Sequence, residues 1–269
     1  MSERPQILGV VNVTPDSFSD GGEFFDPDRA ARHAEQLWSD GAHIVDIGAA
    51  SSHPAAARVP ADEEIRRLAP VLDRLAGTPL RLSIDSSEPE TQRYALGRGV
   101  RMLNDVTGFP DPSFHPELAA HDCMLVVMHA LQSSAAPAPQ TGDALLSHIE
   151  DFFRRRVDAL ERAGVARERI VLDPGMGFFL GRGPRASLYV LHHLSELRER
   201  LDLPLLVGVS RKSFLGSLTD RVPSERGAAS LAAELEASAR GADYIRTHDV
   251  RALRDGLRVQ RAIASEARA

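Results

Sequence analysis

Residues 30–47, AARHAEQLWSDGAHIVDI, contain the pattern that decides the fold. Apolar side chains recur every three or four residues over Ala30–Asp40, which is typical of the buried face of an α-helix. Gly41 follows at the position where a left-handed helix C-cap favours glycine. The next run, Ala42–Ile47, is mostly apolar on both faces, as is a strand in a parallel sheet covered by helices. The stretch therefore predicts a helix that leads directly into a buried strand.

The same unit recurs along the whole chain. Stretches of helical period, such as Glu63–Leu75 and Leu145–Ala163, separate short runs rich in Val, Ile and Leu. Gly99, Gly164 and Gly241 stand where further helices are expected to end. The eight strand-like runs are Ile7–Val13, Ala42–Ile47, Leu80–Ile84, Arg101–Val106, Met124–Met128, Ile170–Leu172, Leu205–Val209 and Tyr244–Ile245.

This strict alternation is compatible with a closed barrel or with a doubly wound sheet. Eight units in 269 residues favour the barrel. The segment richest in Ala, Ser and Pro, Leu131–Gly142, falls inside a strand-to-helix connection, so no linker divides the chain. We predict an α/β protein made of a single (β/α)₈ TIM barrel that spans residues 1–269.

Composition narrows the classes of function. The net charge is −6 and the arginines are dispersed among acidic residues, so nothing indicates nucleic-acid binding. The one cysteine, Cys123, excludes an intramolecular disulfide, and the adjoining apolar run Met124–Met128 predicts a buried, unreactive thiol. The sequence contains neither a signal peptide nor an apolar stretch of about 18 residues. We therefore expect a cytoplasmic protein that binds neither nucleic acid nor membranes.

Polar residues follow every predicted strand, at the end of the barrel where active sites lie. For Asp46, Asp105 and Asp249 an N-cap of the following helix explains the residue equally well, and both interpretations stay open. The polar strand-end residues are Asn12, Asp46, Asp85, Asn104, Asp105, His129, Asp173, Ser210, Lys212, Arg246, His248 and Asp249.

Two subsets of these residues predict a ligand. Two carboxylates, a carboxamide and an ammonium group that meet at one barrel mouth suit a flat heterocycle with both donors and acceptors. The second subset is polar or cationic and suits an anion or a metal-bound anion. Together they predict a heterocycle that carries a diphosphate. The first subset is Asp85, Asn104, Asp173 and Lys212, and the second is Asn12, Arg246 and His248.

The motifs around these residues resemble those of the dihydropteroate synthases. Residues 9–22, GVVNVTPDSFSDGG, resemble the long and specific opening signature of that family. The resemblance covers essentially the whole chain, in order and at plausible spacing. The further matching segments are SIDSS at 83–87, LND at 103–105, LDPGMGF at 172–178, SRKS at 210–213 and IRTHD at 245–249.

The resemblance implies a (β/α)₈ homodimer that uses Mg²⁺. It implies the condensation of 6-hydroxymethyl-7,8-dihydropterin diphosphate with 4-aminobenzoate, which gives 7,8-dihydropteroate and pyrophosphate. It also assigns roles by position. The pterin is expected at Asp85, Asn104, Asp173 and Lys212; the diphosphate at Asn12, Ser52, His53, Arg246 and His248; 4-aminobenzoate at Ser52, His53, Pro54, Phe178 and Ser210; Mg²⁺ near Asn12; and the catalytic roles at Asp85, Lys212, Arg246 and His248.

Two segments depart from the common family pattern. Residues 48–55 read GAASSHPA where the family has GGESTRPG, so His53 replaces an arginine and loses its bidentate fork. Residues 177–183, GFFLGRG, are longer and more apolar than usual. Both departures resemble the mobile synthases that confer sulfonamide resistance. Added bulk at Phe178 or Phe179 predicts a steric clash with a sulfonamide, which projects beyond the outline of 4-aminobenzoate.

Two alternatives stay open at this stage. Pterin-binding barrels also serve methyltetrahydrofolate-dependent methyl transfer, which needs the pterin-binding acids but not Lys212, Arg246 and His248 for a diphosphate. The intact signature around Asn12 argues against that reaction. The change at His53 leaves room for an inactive paralogue that only binds pterin or for a barrel used as a partner scaffold.

Overall fold

Eight parallel strands form the barrel in the computed structural model, which describes residues 5–14, 26–51, 56–131, 142–181 and 183–266. The strands run in the order β6-β5-β4-β3-β2-β1-β8-β7. Leu172 pairs with Leu205 in a parallel bridge between the two outer members, which closes the sheet. The strands are β1 Gln6–Asn12, β2 Ile44–Gly48, β3 Leu82–Asp85, β4 Met102–Asp105, β5 Met124–Met128, β6 Ile170–Asp173, β7 Leu206–Val207 and β8 Tyr244–Thr247.

Helices cover the outside of this sheet. Short 3₁₀ turns at Arg167–Arg169, Gly177–Leu180 and Pro223–Glu225 join some of the elements. The helices within the described ranges are α1 Pro27–Ser39, α2 Ala61–Leu75, α3 Pro89–Gly97, α4 His115–Ala120, α5 Asp143–Arg162, α6 Pro184–His192, α7 Leu194–Leu201, α8 Ser213–Thr219, α9 Gly227–Ala239 and α10 Val250–Glu266. The predicted α/β barrel fold is confirmed.

The boundaries of the elements follow local chemistry. Gly41, predicted to end the first helix, has φ 108°, and the three other predicted helix-ending glycines also have positive φ. Helix α1 begins earlier than the apolar pattern indicates, because the Asp26 side chain caps the backbone N–H groups of Asp28 and Arg29. The first turn of α1 is polar, so it does not contribute to the periodic spacing of apolar residues from which the helix is predicted.

The barrel interior is filled in layers because side chains alternate along each strand. A small apolar cluster plugs the interior near the strand starts. Two positions further along several strands, the inward side chain is polar, so a polar layer lies directly above the plug. The pairs of plug and polar residues are Ile44 and Asp46, Met102 and Asn104, Val171 and Asp173, and Tyr244 and Arg246. The plug leaves the carboxyl end of the barrel as the place for a ligand.

The main core lies between the sheet and its helices, and it contains Cys123. This thiol is free and buried, and burial raises its pKa, so the prediction of an unreactive core cysteine agrees with the structure. None of the helices in the described segments combines the length and the apolar character that crossing a bilayer requires.

Candidate active site

Arg246 is the centre of the polar layer. Its Nε donates to Asp46 Oδ2 at 2.6 Å, and one Nη donates to Asp85 Oδ2 at 2.8 Å. The Asp46 side chain is fully buried, and 17% of the Arg246 side chain is exposed. Burial acts to lower the pKa of Arg246, but the two carboxylates raise it above its ordinary value. The guanidinium group therefore stays charged and joins strands β2, β3 and β8 across the barrel.

Asn104, Asp173 and Lys212 surround this ion pair. Asn104 Nδ2 approaches Asp46 Oδ2 at 3.4 Å, while its Oδ1 has no hydrogen-bonding partner among the described residues. Asp173 Oδ1 accepts from the backbone N–H of Gly175 at 2.8 Å. Lys212 interacts electrostatically with both Asp173 and Asp85. The four residues predicted to meet at the barrel mouth do lie together there.

The pKa values of these groups reflect their removal from water. Burial raises the pKa of Asp85 to about 7, although the neighbouring Arg246 charge acts to lower it. Burial also raises the pKa of Asp173 to about 6, against the Gly175 hydrogen bond and the Lys212 charge. The pKa of Lys212 falls, chiefly through burial and secondly through Arg246. Such perturbed groups in one cleft are typical of functional sites.

A cavity of about 640 Å³ opens above the polar layer. Asp85, Lys212 and Arg246 line it, and Asn104 and Asp173 are buried beside these groups. Exposed Asn12, at the end of β1, also lines the cavity. Ser52, His53 and Pro54 lie outside the described residues. No cluster of three or more His, Cys, Asp or Glu side chains suited to a metal ion occurs in the described part of the chain.

Ser210 and His248 form a pair at the wall of the cavity. The Ser210 hydroxyl accepts from the His248 backbone N–H at 3.2 Å and lies 3.1 Å from His248 Nδ1. Burial, aided by the nearby Arg246 charge, lowers the pKa of His248 to about 3. The imidazole of the ligand-free site is therefore neutral near pH 7.

The outer wall of the cavity is built from connecting segments. Phe178 and Phe179 lie on the 3₁₀ turn after β6, where 38% of Phe178 is exposed and Phe179 places its ring 4.8 Å from Lys212 Nζ. Arg211 follows β7 with φ 59°, an unusual value for a residue with a side chain. Arg226 donates from Nη1 to the Arg211 carbonyl at 2.9 Å and so holds this turn.

The three ambiguous aspartates separate into different roles. Asp249 is an N-cap, since its Oδ1 accepts from the Ala252 backbone N–H at 3.0 Å. Asp46 holds Arg246 and caps no helix. Asp105 instead accepts from the N–H groups of Thr107 and Phe109, which orders the turn after β4.

Sequence reasoning missed several contributors to the site. Met176, Pro223 and Arg226 line the cavity, and no sequence pattern assigned a role to them. Ser213 also lines it; the sequence places this residue among the polar groups that follow the seventh strand, without a role. No local sequence pattern indicates the role of Arg226, because its side chain donates to backbone carbonyls. Asp46 was named, but its pairing with Arg246 was not predicted.

The fold and site together define an α/β barrel with a cavity at the carboxyl end of its strands, lined by charged residues above an apolar plug. Residues 8–248 match the pterin binding enzyme family. The chain is 54% identical to the dihydropteroate synthase type-2 of Escherichia coli, over 100% of this chain and 99% of that one. It is 48% identical to the type-1 enzyme of Mycolicibacterium fortuitum, over 98% and 94% of the two chains.

Solved structures give the same result. Xanthomonas albilineans dihydropteroate synthase with 4-aminobenzoic acid aligns with a TM-score of 0.88 at 41% identity, covering 97% of this chain and 94% of that one. The same enzyme in complex with 7,8-dihydropteroate aligns with a TM-score of 0.85 at 40% identity and the same coverage. The chain belongs to the pterin binding enzymes and, among them, to the dihydropteroate synthase family.

Proposed function

We propose that this chain joins 6-hydroxymethyl-7,8-dihydropterin diphosphate to 4-aminobenzoate and releases 7,8-dihydropteroate and pyrophosphate. The observation that carries this proposal is the polar layer around Arg246, in which acids, a carboxamide and an ammonium group stand above an apolar floor. Full-length similarity to dihydropteroate synthases supports the same reaction.

The pterin is assigned to Asp85, Asn104, Asp173 and Lys212. The unpartnered Asn104 Oδ1 is an acceptor that a ring N–H satisfies. Asp173 accepts a pair of N–H bonds from the 2-amino-pyrimidinone edge, and Lys212 donates to a ring carbonyl or nitrogen. Burial of these groups in a small layer strengthens each hydrogen bond and excludes competing water.

The reaction needs stabilisation of charge more than proton transfer. The carbon that bears the diphosphate is attached to a ring that stabilises positive charge, so the leaving group departs before the amine attacks. Arg246, His248 and Asn12 face the cavity and are assigned to the diphosphate. Asp85, in its ionised form, faces the developing cation. A rate that does not depend on the nucleophilicity of substituted aminobenzoates is the expected result for this order of events.

Mg²⁺ fits the donor set at the mouth. Asn12 offers one carboxamide oxygen, and Mg²⁺ is commonly held by one or two protein oxygens together with water and substrate phosphates. Among the described residues that line the cavity with Asn12, Asp85 is the acidic one, which is compatible with a cation that arrives with the diphosphate. When bound there, Mg²⁺ supplies charge neutralisation for the leaving pyrophosphate.

The outer wall is assigned to 4-aminobenzoate and to discrimination against its mimics. Phe178 presents its ring to the cavity beside Ser213 and Arg211. A sulfonamide that extends beyond the aminobenzoate outline meets this ring, so we propose reduced sulfonamide sensitivity. Ser52, His53 and Pro54 are assigned to the same substrate by resemblance alone. Ser210 is assigned there too, but its hydroxyl already contacts His248.

The remaining assignments concern the whole molecule. We propose one barrel domain over residues 1–269, a homodimer, and a cytoplasmic location that matches small-molecule biosynthesis. Size measurement by light scattering tests the dimer directly, with a single species of twice the chain mass as the expected result.

The decisive experiment follows pyrophosphate release from both substrates and Mg²⁺, with and without sulfamethoxazole. Turnover that persists with the drug supports both the synthase and the role of Phe178. Turnover that low drug concentrations abolish keeps the synthase and contradicts the insensitivity. Pterin binding without turnover indicates the inactive paralogue, and His53→Arg is then the first variant to make. Binding of methyltetrahydrofolate but not of pterin diphosphate indicates the methyl-transfer alternative.

A further inference from the structure

His129 is a buried histidine to which the proposed reaction gives no role. The sequence places it among the polar residues that follow the strands, directly after β5. None of the residue is exposed, and its ring packs edge-on against His148, Phe152 and Phe153 at centroid distances of 5.6, 5.1 and 6.2 Å. An apolar side chain suits such surroundings better, so the polar ring calls for an explanation.

The His129 ring makes one hydrogen bond within the described part of the chain. Its Nδ1 lies 3.1 Å from the carbonyl oxygen of Pro174, whereas Nε2 has no partner among the described residues. A carbonyl oxygen only accepts, so Nδ1 carries the ring proton and Nε2 keeps a buried lone pair. Burial lowers the pKa of His129 to about 4, so the ring is neutral near pH 7. The unpaired nitrogen costs free energy, and the bond from Nδ1 is what a histidine offers here in return.

The peptide group between Pro174 and Gly175 connects this bond to Asp173. Its carbonyl oxygen accepts from His129 Nδ1, and its N–H donates to Asp173 Oδ1 at 2.8 Å. A peptide group is planar, so a partner that fixes its carbonyl also fixes the direction of its N–H. A hydrogen bond accepted by the carbonyl also polarises the group and strengthens the bond that the N–H donates. The His129 ring and the Asp173 carboxylate are therefore joined through one rigid unit.

The backbone of His129 lies against the same unit. Its N–H donates to the Asp173 carbonyl oxygen at 2.8 Å, which extends the pairing of β5 with β6. Gly175 has φ 72°, and a Cβ there would collide with the His129 carbonyl oxygen. Glycine restricts the rotation of its neighbouring peptide groups less than any other residue, so the Pro174–Gly175 peptide needs a partner that keeps it in one orientation. His129 Nδ1 is in place to be that partner.

We propose that His129 is a positioning residue that holds the Pro174–Gly175 peptide and thereby aims the Asp173 carboxylate at the pterin. A carboxylate that accepts two N–H bonds from a flat ring needs a fixed orientation, because both bonds lie in the plane of that ring. The inference rests on the proposed function, since it takes the pterin as the ligand of Asp173. It adds a residue that acts on pterin recognition through another side chain.

Two substitutions of His129 separate positioning from packing. His129→Asn keeps an amide N–H close to the place of Nδ1 but leaves a void, whereas His129→Leu suits the apolar surroundings and removes the donor. If the ring served packing alone, His129→Leu would be the better tolerated variant in every measurement. We expect this order for stability and the reverse order for pterin binding. Phe153→Leu changes the same ring cluster at a side chain without a hydrogen-bond donor, and it is the matched control.

Calorimetry with 6-hydroxymethyl-7,8-dihydropterin, which has the ring without the diphosphate, measures pterin affinity without turnover. We expect the Kd to rise about tenfold in His129→Leu and less than about threefold in His129→Asn and Phe153→Leu. Thermal unfolding is expected to rank His129→Leu above His129→Asn. In turnover, His129→Leu is expected to raise KM for the pterin diphosphate about tenfold and to change KM for 4-aminobenzoate less than about threefold. Equal pterin affinity of His129→Asn and His129→Leu overturns the proposal.

Nitrogen NMR of the ligand-free natural protein tests the hydrogen bond itself. The ring nitrogens of His129 are assigned by their loss in His129→Asn, and we expect a protonated Nδ1 and an unprotonated Nε2 from pH 6 to pH 8. A protonated Nε2 overturns the proposal, even where His129→Leu fails to fold. Absence of pterin binding by the natural protein contradicts the proposed function and this inference together. Pterin binding that does not depend on the Nδ1 donor contradicts this inference alone, so the two failures are distinguishable.

Discussion

The inner and outer halves of the cavity are built in different ways. The inner half consists of Asp85, Lys212 and Arg246 with buried Asn104 and Asp173, most of them on or next to strands, and Arg246 donates short hydrogen bonds to Asp85 and Asp46. The outer half consists of Phe178, Arg211, Ser213, Pro223 and Arg226, which lie on connecting segments and helix ends.

This difference separates two tasks. Strand residues are fixed by the barrel ladder, so the inner half holds one ligand shape with little freedom. The outer half rests on a 3₁₀ turn and on a residue with positive φ, which tolerate changes of length and side chain more easily. We therefore propose that the inner half recognises the pterin and that the outer half discriminates between 4-aminobenzoate and its mimics.

The largest expected effect comes from breaking the inner ion pair. Arg246→Met leaves Asp46 and Asp85 without their shared cation in a buried layer. Removing one partner of a buried ion pair costs about 3–5 kcal/mol, so we expect a loss of that size in the free energy of unfolding, and no turnover. Urea denaturation measures the loss, with exposed Arg251→Met as the control. A change below about 1 kcal/mol contradicts the ion pair as a structural element.

A pH experiment tests the burial of the inner acids. A carboxyl whose pKa is higher in the folded than in the unfolded state contributes stability at low pH and loses it as pH rises through the folded value. Burial raises the pKa of Asp173 from 3.8 to about 6. Between about pH 4 and pH 6 the natural protein therefore loses on the order of 3 kcal/mol through this group.

The side chain introduced by Asp173→Asn cannot ionise. The variant is therefore expected to lack the loss of unfolding free energy that Asp173 causes as the pH rises. Urea denaturation at pH 4.5 and pH 7 measures the difference, and Asp151→Asn, at an exposed position on α5, is the control. Equal pH dependence in the natural protein and Asp173→Asn contradicts a buried, desolvated Asp173.

Gly175 tests the junction between the two halves. It lies two residues after Asp173 with φ 72°, and a Cβ there collides with the His129 backbone carbonyl. Gly175→Ala is expected to cost about 1–3 kcal/mol of unfolding free energy and to displace the N–H that Asp173 accepts. Gly97→Ala, at an open helical position, is the control and is expected to be neutral or slightly stabilising. Equal free energies of unfolding for Gly175→Ala and Gly97→Ala would show that the backbone at position 175 does not require glycine.

A substitution in the outer half is expected to change catalysis least. It is expected to change most the discrimination between 4-aminobenzoate and sulfamethoxazole. Phe178→Leu removes aromatic bulk from the wall while the inner half stays intact. We expect the inhibition constant for sulfamethoxazole to fall about tenfold, with less than about threefold change in KM for 4-aminobenzoate. Leu188→Ala removes a side chain of similar exposure that does not line the cavity. An unchanged inhibition constant would show that Phe178 does not cause the proposed drug insensitivity.

The sequence predicts the inner half better than the outer half for a physical reason. Strand period and strand ends place Asp85, Asn104 and Asp173 at one mouth without further information. The pairing of Arg246 with Asp46 is not local, since the two residues are 200 positions apart. Strand β7 is only two residues long, whereas the apolar run Leu205–Val209 predicts a longer strand, because apolar character alone does not report hydrogen bonding.

Buried polar groups on helices are the hardest to find. Glu234 stands in GAASLAAELEASA, where a glutamate is usually a solvated surface residue, and only the packing of α9 against the barrel covers it. Arg226 likewise acts on backbone carbonyls, which have no signature in the sequence.

The apolar plug at the bottom of the barrel makes the cavity a dead end. A molecule that occupies the inner half enters and leaves at the carboxyl end of the barrel, where Phe178 and Arg211 line the cavity. Two ligands in a cavity that is closed at the bottom cannot exchange places. The ring that lies deepest must therefore bind before the ligand above it, and the proposed product, which contains both rings, leaves as one molecule.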